Sequence, residues 1–141
     1  MQDYRRLRVW RKARGHVLNA RRATHRFPPR GYATLSSQLM RAAESIPFNI
    51  VEGCGNRSQR DFARFLDNSI KSCSELEYQL FLAMDYEVLA KDDWKSLTDE
   101  TIDVRRMLCG LGAKVLQLEG SRSISDSTTE SAITNHSKRA N

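Results

Sequence analysis

Apolar residues recur in four separate segments of this chain at alternating steps of three and four, the spacing that lines up one face of an α-helix. In the first, Trp10, Ala13, Val17, Ala20 and Thr24 form the row, and in the second Leu35, Leu39, Ala42, Ala43, Ile46 and Ile50. The third row is Phe62, Leu66, Ser69, Cys73, Leu76, Leu80 and Ala83. The fourth is Trp94, Leu97, Thr101, Val104, Leu108, Leu111, Val115 and Leu118. No segment alternates with period two for long enough to make a strand. Stripes sustained this way pack near 20° to one another, and short connections make sequence neighbours antiparallel. The pattern predicts an all-α protein, an antiparallel up-and-down four-helix bundle over residues 1–119.

The breaks between stripes carry turn chemistry. Phe27-Pro28-Pro29-Arg30-Gly31 separates the first pair and Gly53-Cys54-Gly55-Asn56 the second. The third break, from Tyr86 to Asp92, is softer, and Asp92 or Asp93 can cap a fourth helix. Ser58 with Asp61 reads as the capped start of helix three, and Thr34, Ser36 or Ser37 as a cap for helix two. Pro47 falls inside a helical stripe, where it removes one backbone donor and crowds the carbonyl of Ala43. Because Ile46 and Ile50 keep one stripe on both sides of it, a kinked but continuous second helix is expected. From Gly120 the chain turns Ser/Thr-rich and loses its period, so residues 120–141 are expected to form a disordered tail.

Composition narrows the class. The chain has 141 residues, 40% hydrophobic and 28% charged, enough for one core. No apolar run approaches the roughly 20 residues that cross a bilayer, and the basic N-terminus lacks the apolar stretch of a secretory signal. Cys54, Cys73 and Cys109 form no C-x-x-C pair, which points away from a disulfide framework and towards a reducing cytoplasm. The net charge of +6 is unevenly placed: residues 1–30 hold ten Lys or Arg against Asp3 alone, whereas residues 31–118 hold ten against thirteen acids. Such asymmetry suggests an anionic partner, with a solvated basic helix face as the plain alternative.

On helix two, Gln38, Arg41, Ser45, Asn49 and Glu52 fall within about 80° beside the apolar stripe. This polar row is either a water-facing flank or a hydrogen-bonded seam, at the rim of the bundle or at a subunit contact. The run Ser37-Gln38-Leu39-Met40-Arg41-Ala42-Ala43-Glu44-Ser45-Ile46-Pro47-Phe48-Asn49-Ile50-Val51-Glu52-Gly53 closely resembles the signature of a bacterial four-helix-bundle family. This is the family of intervening-sequence proteins of large-subunit (23S) ribosomal RNA genes. Leu7-Arg8-Val9-Trp10 with Ala13, Phe62 with Phe65-Leu66, Ser72 with Glu75-Leu76 and Leu80, and Met107-Leu108-Cys109-Gly110-Leu111 match it too. The resemblance implies a homopentamer without established catalysis. More distantly, the chain is similar to accessory proteins of diversity-generating retroelements, which implies contact with nucleic acid and a reverse transcriptase.

The binding candidates are basic rows. Arg5, Arg8, Lys12, Arg22 and Arg26 share an arc of about 100° on helix one, and Arg57, Arg60, Arg64 and Lys71 group similarly on helix three. Rows of this kind neutralise phosphates without reading sequence, and no named nucleic-acid module accompanies them. Catalysis has little support. His16, His25 and His136 lack metal-ligand spacing, and no metal or other cofactor is expected. Glu75 and Glu77 fall on different faces. Cys73 and Cys109 read as small hydrophobes at the core stripes, Trp10 and Trp94 as core anchors. The expected function is a non-enzymatic, basic, oligomeric bundle that binds RNA or DNA nonspecifically. The alternative is a protein-interaction scaffold with no nucleic-acid role.

Overall fold

The computed structural model describes the backbone of residues 2–137 and the side chains of residues 2–125. A 3-10 turn at Tyr4–Arg6 leads into α1 (Arg8–His25), α2 (Ala33–Cys54), α3 (Gln59–Asp85) and α4 (Lys91–Ser137). There is no strand among the described residues. Each helix packs on its sequence neighbours, and α1 closes the bundle against α4, while the backbones of the diagonal pairs stay apart across the shared core. The up-and-down bundle expected from the stripes is the observed architecture.

The core is supplied unequally. Leu39, Ile46 and Ile50 of α2, Leu66, Leu76 and Leu80 of α3, and Val104 and Leu108 of α4 are essentially sealed from water. Burying each such side chain stabilises the fold by about 1.5–3 kcal/mol. From α1, full burial of apolar side chains is limited to Val9 and the alanines Ala13, Ala20 and Ala23, with Trp10 and Val17 packed half-buried against the core.

Local signals behave as their chemistry dictates. Ser58 caps α3, its hydroxyl accepting from the Asp61 amide at 3.3 Å. α2, by contrast, begins at Ala33 with Tyr32 in the capping position and no side-chain cap, so none of Thr34, Ser36 and Ser37 serves. Pro47 lies inside α2 without interrupting it. Side chains serve the carbonyls around it: Asn49 Nδ2 donates to the Ser45 carbonyl at 2.9 Å, and Ser69 Oγ donates to the Ile46 carbonyl at 2.8 Å. Gly31 turns the chain between α1 and α2 with φ at +88°. Gly53 acts differently from the turn residue its sequence context implies. It lies within α2, where an added Cβ would come within 2.8 Å of Phe62 Cδ2, so its bareness lets α3 approach.

The fourth stripe outruns the bundle. Val115 is the last buried residue, and Leu118, expected in the core, is 58% exposed because α4 extends past the start of α3. The tail expected from Gly120 falls on a stretch whose backbone continues α4, with every described side chain from Gly120 to Ser125 exposed. The rest of that expected tail lies beyond the described side chains.

Candidate nucleic-acid interface

α1 carries six Lys or Arg and no acid. Its buried face is set by Val9, Ala13, His16 and Ala20, which leaves two flanks and an outer side for the bases. The arc of Arg8, Lys12, Arg22 and Arg26 lies on the flank towards α4, and α4 answers it with acids. Lys12 Nζ meets Asp103 Oδ2 at 3.3 Å, and Arg26 Nη2 meets Asp93 Oδ2 at 3.4 Å. Arg5, before the helix, pairs with Asp3 at 3.1 Å, and that contact holds the Asp3 carboxyl below the usual carboxylate range. Arg22 donates to Asn19 Oδ1 at 2.8 Å. Of this arc, Arg8 and Arg22 form no ion pair among the described residues.

Three further bases belong to neither row that the sequence predicts. Arg11, Arg14 and Arg21 are exposed, on the outer side of α1 and its flank towards α2, and form no ion pair among the described residues. A wheel centred on the buried Val9–Ala13–Ala20 row, rather than on the longest basic row, exposes them.

The helix-three row is carried by a diagonal helix, so the two rows do not merge into one stripe. Arg57, Arg60, Arg64 and Lys71 are all exposed. Arg64 lies 3.8 Å from Asp61 and stacks over the Phe65 ring. The start of α3 nevertheless meets the chain's N-terminus at one end of the bundle, where the Gln2 amide donates to the Cys54 carbonyl at 3.0 Å. An open cavity of about 330 Å³ there is lined by Gln2, Cys54, Asn56, Arg57 and Lys114, among others. This end gathers Arg57, Arg60 and Lys114 near the 3-10 turn bearing Arg5 and Arg6. At the opposite end, Asp85, Glu87, Asp92 and Asp93 lie at the same level as Arg26, Arg30 and Lys91.

The polar row of α2 divides. Ser45 Oγ and Ser72 Oγ are 2.8 Å apart, Asn49 Nδ2 donates to Ser45 Oγ at 3.0 Å, and Gln79 Nε2 donates to Gln38 Oε1 at 3.3 Å. These three members of the row therefore bond along the α2–α3 rim of a single chain. Arg41 and Glu52 remain exposed on its outer edge, Arg41 bordering a groove with Glu75 and Tyr78.

A cluster not anticipated from sequence joins α1 to α4. His16 is 3% exposed. Its Nδ1 lies 2.6 Å from Glu100 Oε2 and its Nε2 lies 2.7 Å from Thr101 Oγ1, while Asn19 Nδ2 donates to Glu100 Oε1 at 2.9 Å. A carboxylate can only accept, so Nδ1 carries the proton. Burial pushes the imidazole below its ordinary value, against the pull of the Glu100 carboxylate. Thr101 is sealed in the core, and its single hydroxyl proton can serve either His16 Nε2 or the Leu97 carbonyl, each 2.7 Å away, so the cluster braces α1 against α4. No group of His, Cys, Asp or Glu among the described residues is arranged to hold a metal. Of the thiols, Cys54 and Cys73 are buried, with Cys73 pushed up to about 12 by burial. Cys109, expected beside the core, is exposed instead, because Leu108 and Leu111 take the inward positions.

Fold and charge together define a class: a small antiparallel helical bundle, basic along one helix and at one end, with no helix among its described residues long and apolar enough to cross a membrane. Within that class, residues 5–110 match the family described as 23S rRNA-intervening sequence protein, and the chain belongs to this family. Its fold is similar to a crystal structure from Bacteroides thetaiotaomicron, a protein with unknown function from the S23 ribosomal protein family. The two share 22% identity with a TM-score of 0.70, over 74% of this chain and 95% of the other. No curated protein matches the chain.

Proposed function

We propose that this protein is a non-enzymatic, cytoplasmic, homo-oligomeric bundle that binds RNA or DNA through backbone phosphates, without reading base sequence. The observation that supports it is the placement of charge: α1 has six bases and no acid, and the bundle end it starts from adds Arg57, Arg60 and Lys114. Part of the α1–α4 flank is internally neutralised, so the binding load falls on Arg8 and Arg22 there, with Lys12 and Arg26 able to exchange an exposed carboxylate for a phosphate. The family name associates these proteins with a ribosomal RNA intervening sequence, in keeping with a polyanionic partner. By the distant likeness to retroelement accessory proteins, a reverse transcriptase is a further candidate partner, and five is the expected copy number.

Titrating fluorescent RNA and duplex DNA over a range of salt tests this reading. Log affinity should fall linearly with log salt, with a slope of about 0.9 per phosphate neutralised on duplex DNA. Exchanging Arg8, Lys12 and Arg22 together for Glu should abolish retention while the helical circular dichroism is unchanged. Salt-independent binding, or retention by the triple variant, rules out the basic flank as the site. A wild type that retains neither nucleic acid leaves the protein-interaction scaffold as the surviving function.

A further inference from the structure

The cavity at the open end of the bundle, where the turn between α2 and α3 meets α4, lies apart from the basic flank of α1. It measures about 330 Å³, and its two charged lining side chains are Arg57 and Lys114, with no acid in the lining. Both are exposed, and neither forms an ion pair among the described residues. Of the acids nearby, Asp3 faces Arg5 and Asp61 faces Arg64, while Glu52 and Glu119 lie outside the lining. The other wall is apolar. Leu111, Val115 and Leu118 succeed one another along α4 at steps of four and three, and Phe62 of α3 adjoins them.

A more open groove of about 280 Å³ continues from this cavity along α4, the two sharing Gln59 and Leu118. Its one charged lining side chain among the described residues is Arg122, which likewise forms no ion pair there. Cavity and groove together make one recess with an apolar wall, three cations and no acid.

We propose that the cavity holds the terminal nucleotide of a nucleic-acid strand by its phosphomonoester. Arg57 and Lys114 take the phosphate, the α4 wall covers the base, and the adjoining groove leads the strand away past Arg122. The inference rests on the nucleic-acid reading above and names the part of the strand that is held. A cavity of about 330 Å³ is at the small end of the about 300–1,000 Å³ of small-ligand sites, so it takes one nucleotide and no duplex. Charge selects the chain end. A phosphomonoester carries about −1.5 to −2 at neutral pH, more than a diester inside the strand, and two cations facing one phosphate favour the greater charge. The Arg57 guanidinium can engage two phosphate oxygens at once, and Lys114 adds a point charge. A base covers the apolar wall and removes it from water, which a bare phosphate would leave exposed.

The test titrates the full-length chain with three forms of one short single-stranded RNA, ending in a 5′-phosphate, in a 3′-phosphate or in hydroxyls alone. One phosphorylated form should bind about tenfold or more tightly than the hydroxyl form, the effect of one charge-assisted hydrogen bond, and the preferred form identifies the end held. Arg57→Gln with Lys114→Gln should abolish that preference. Both positions are exposed, and circular dichroism verifies that the variant is folded. Arg8→Gln with Arg22→Gln, on the α1 flank, should weaken all three forms and keep the preference. AMP should displace the preferred strand at a lower concentration than inorganic phosphate does, and equal displacement overturns the role of the α4 wall. A wild type that binds all three forms equally overturns the terminal-phosphate site while the α1 flank stands. A preference that survives loss of Arg57 and Lys114 overturns its assignment to this cavity, and a wild type that binds no form overturns site and flank together.

Discussion

The seam between α2 and α3 and the seam between α1 and α4 hold the same bundle together by different means. α2 and α3 approach along most of their length, with Leu39, Ile46, Ile50, Leu66 and Leu76 sealed between them and their neighbours. Polar groups there are small and neutral: Ser45 with Ser72, Ser69 with the Ile46 carbonyl, and the bare Gly53 against Phe62. α1 meets α4 more sparsely, with alanines in place of leucines. Its fastening consists of His16 with Glu100 and Thr101, Lys12 with Asp103 and Arg26 with Asp93. A helix with so many bases cannot also supply a broad apolar face, so the acids of α4 do part of the work that leucine does elsewhere. The α2–α3 seam should therefore be sensitive to volume, and the α1–α4 seam to pH and salt.

The largest test of that contrast is Leu76→Ala. Leu76 has no solvent exposure, and its truncation should cost about 2–5 kcal/mol in urea unfolding. A loss below about 1 kcal/mol would mean that the α3 core is loosely packed. Gly53→Ala comes next. Its new Cβ would lie 2.8 Å from Phe62 Cδ2 and 3.0 Å from Phe65 Cβ, an overpacking that commonly costs about 1–3 kcal/mol. The loss should not depend on salt.

His16 sharpens the other side. Burial lowers the folded-state value of its imidazole, so in acid the unfolded chain takes up this proton first, from about 6.5 downwards. Its contribution is whole above that pH and is lost as the pH falls towards the folded-state value. The groups facing it are Glu100 and Thr101 from α4 and Asn19 on α1, with the Lys12–Asp103 pair one turn away. Unfolding measured from about pH 7.5 to about 5 should show this loss in the wild type and a smaller one in His16→Gln. Equal slopes in both would show that another group carries the acid sensitivity.

The smallest effect concerns Lys12 and Asp103, whose side chains are 37% and 50% exposed. A double-mutant cycle to Ala should give a coupling of about 0–1 kcal/mol, shrinking further in high salt. A coupling that is large and independent of salt would mean that the pair is desolvated.

Much of this was legible in the residues themselves. The four stripes, the Ser58 cap and the unbroken helix through Pro47 arise from interactions within a turn or two of chain, where spacing alone decides geometry. The same spacing determines the angle of a side chain about its own helix, which is why Gln38, Arg41, Ser45, Asn49 and Glu52 can be grouped as one row, and Arg8, Lys12, Arg22 and Arg26 as another. It does not determine which helix lies beyond that angle. Only the packing of α3 against α2 turned the first row into a bonded rim, and only the closure of α1 on α4 set Asp103 and Asp93 against the second. The partners of His16 lie 84 and 85 positions further along the chain, a separation across which no local period carries information. The length of the α4 stripe misled for the same reason: Leu118 keeps the register of a core residue, but it lies at the open end of the bundle, beside Gln59 at the very start of α3. Sequence determined the helices and their faces; the tertiary structure decided what each face meets, because burial and charge pairing belong to both partners at once.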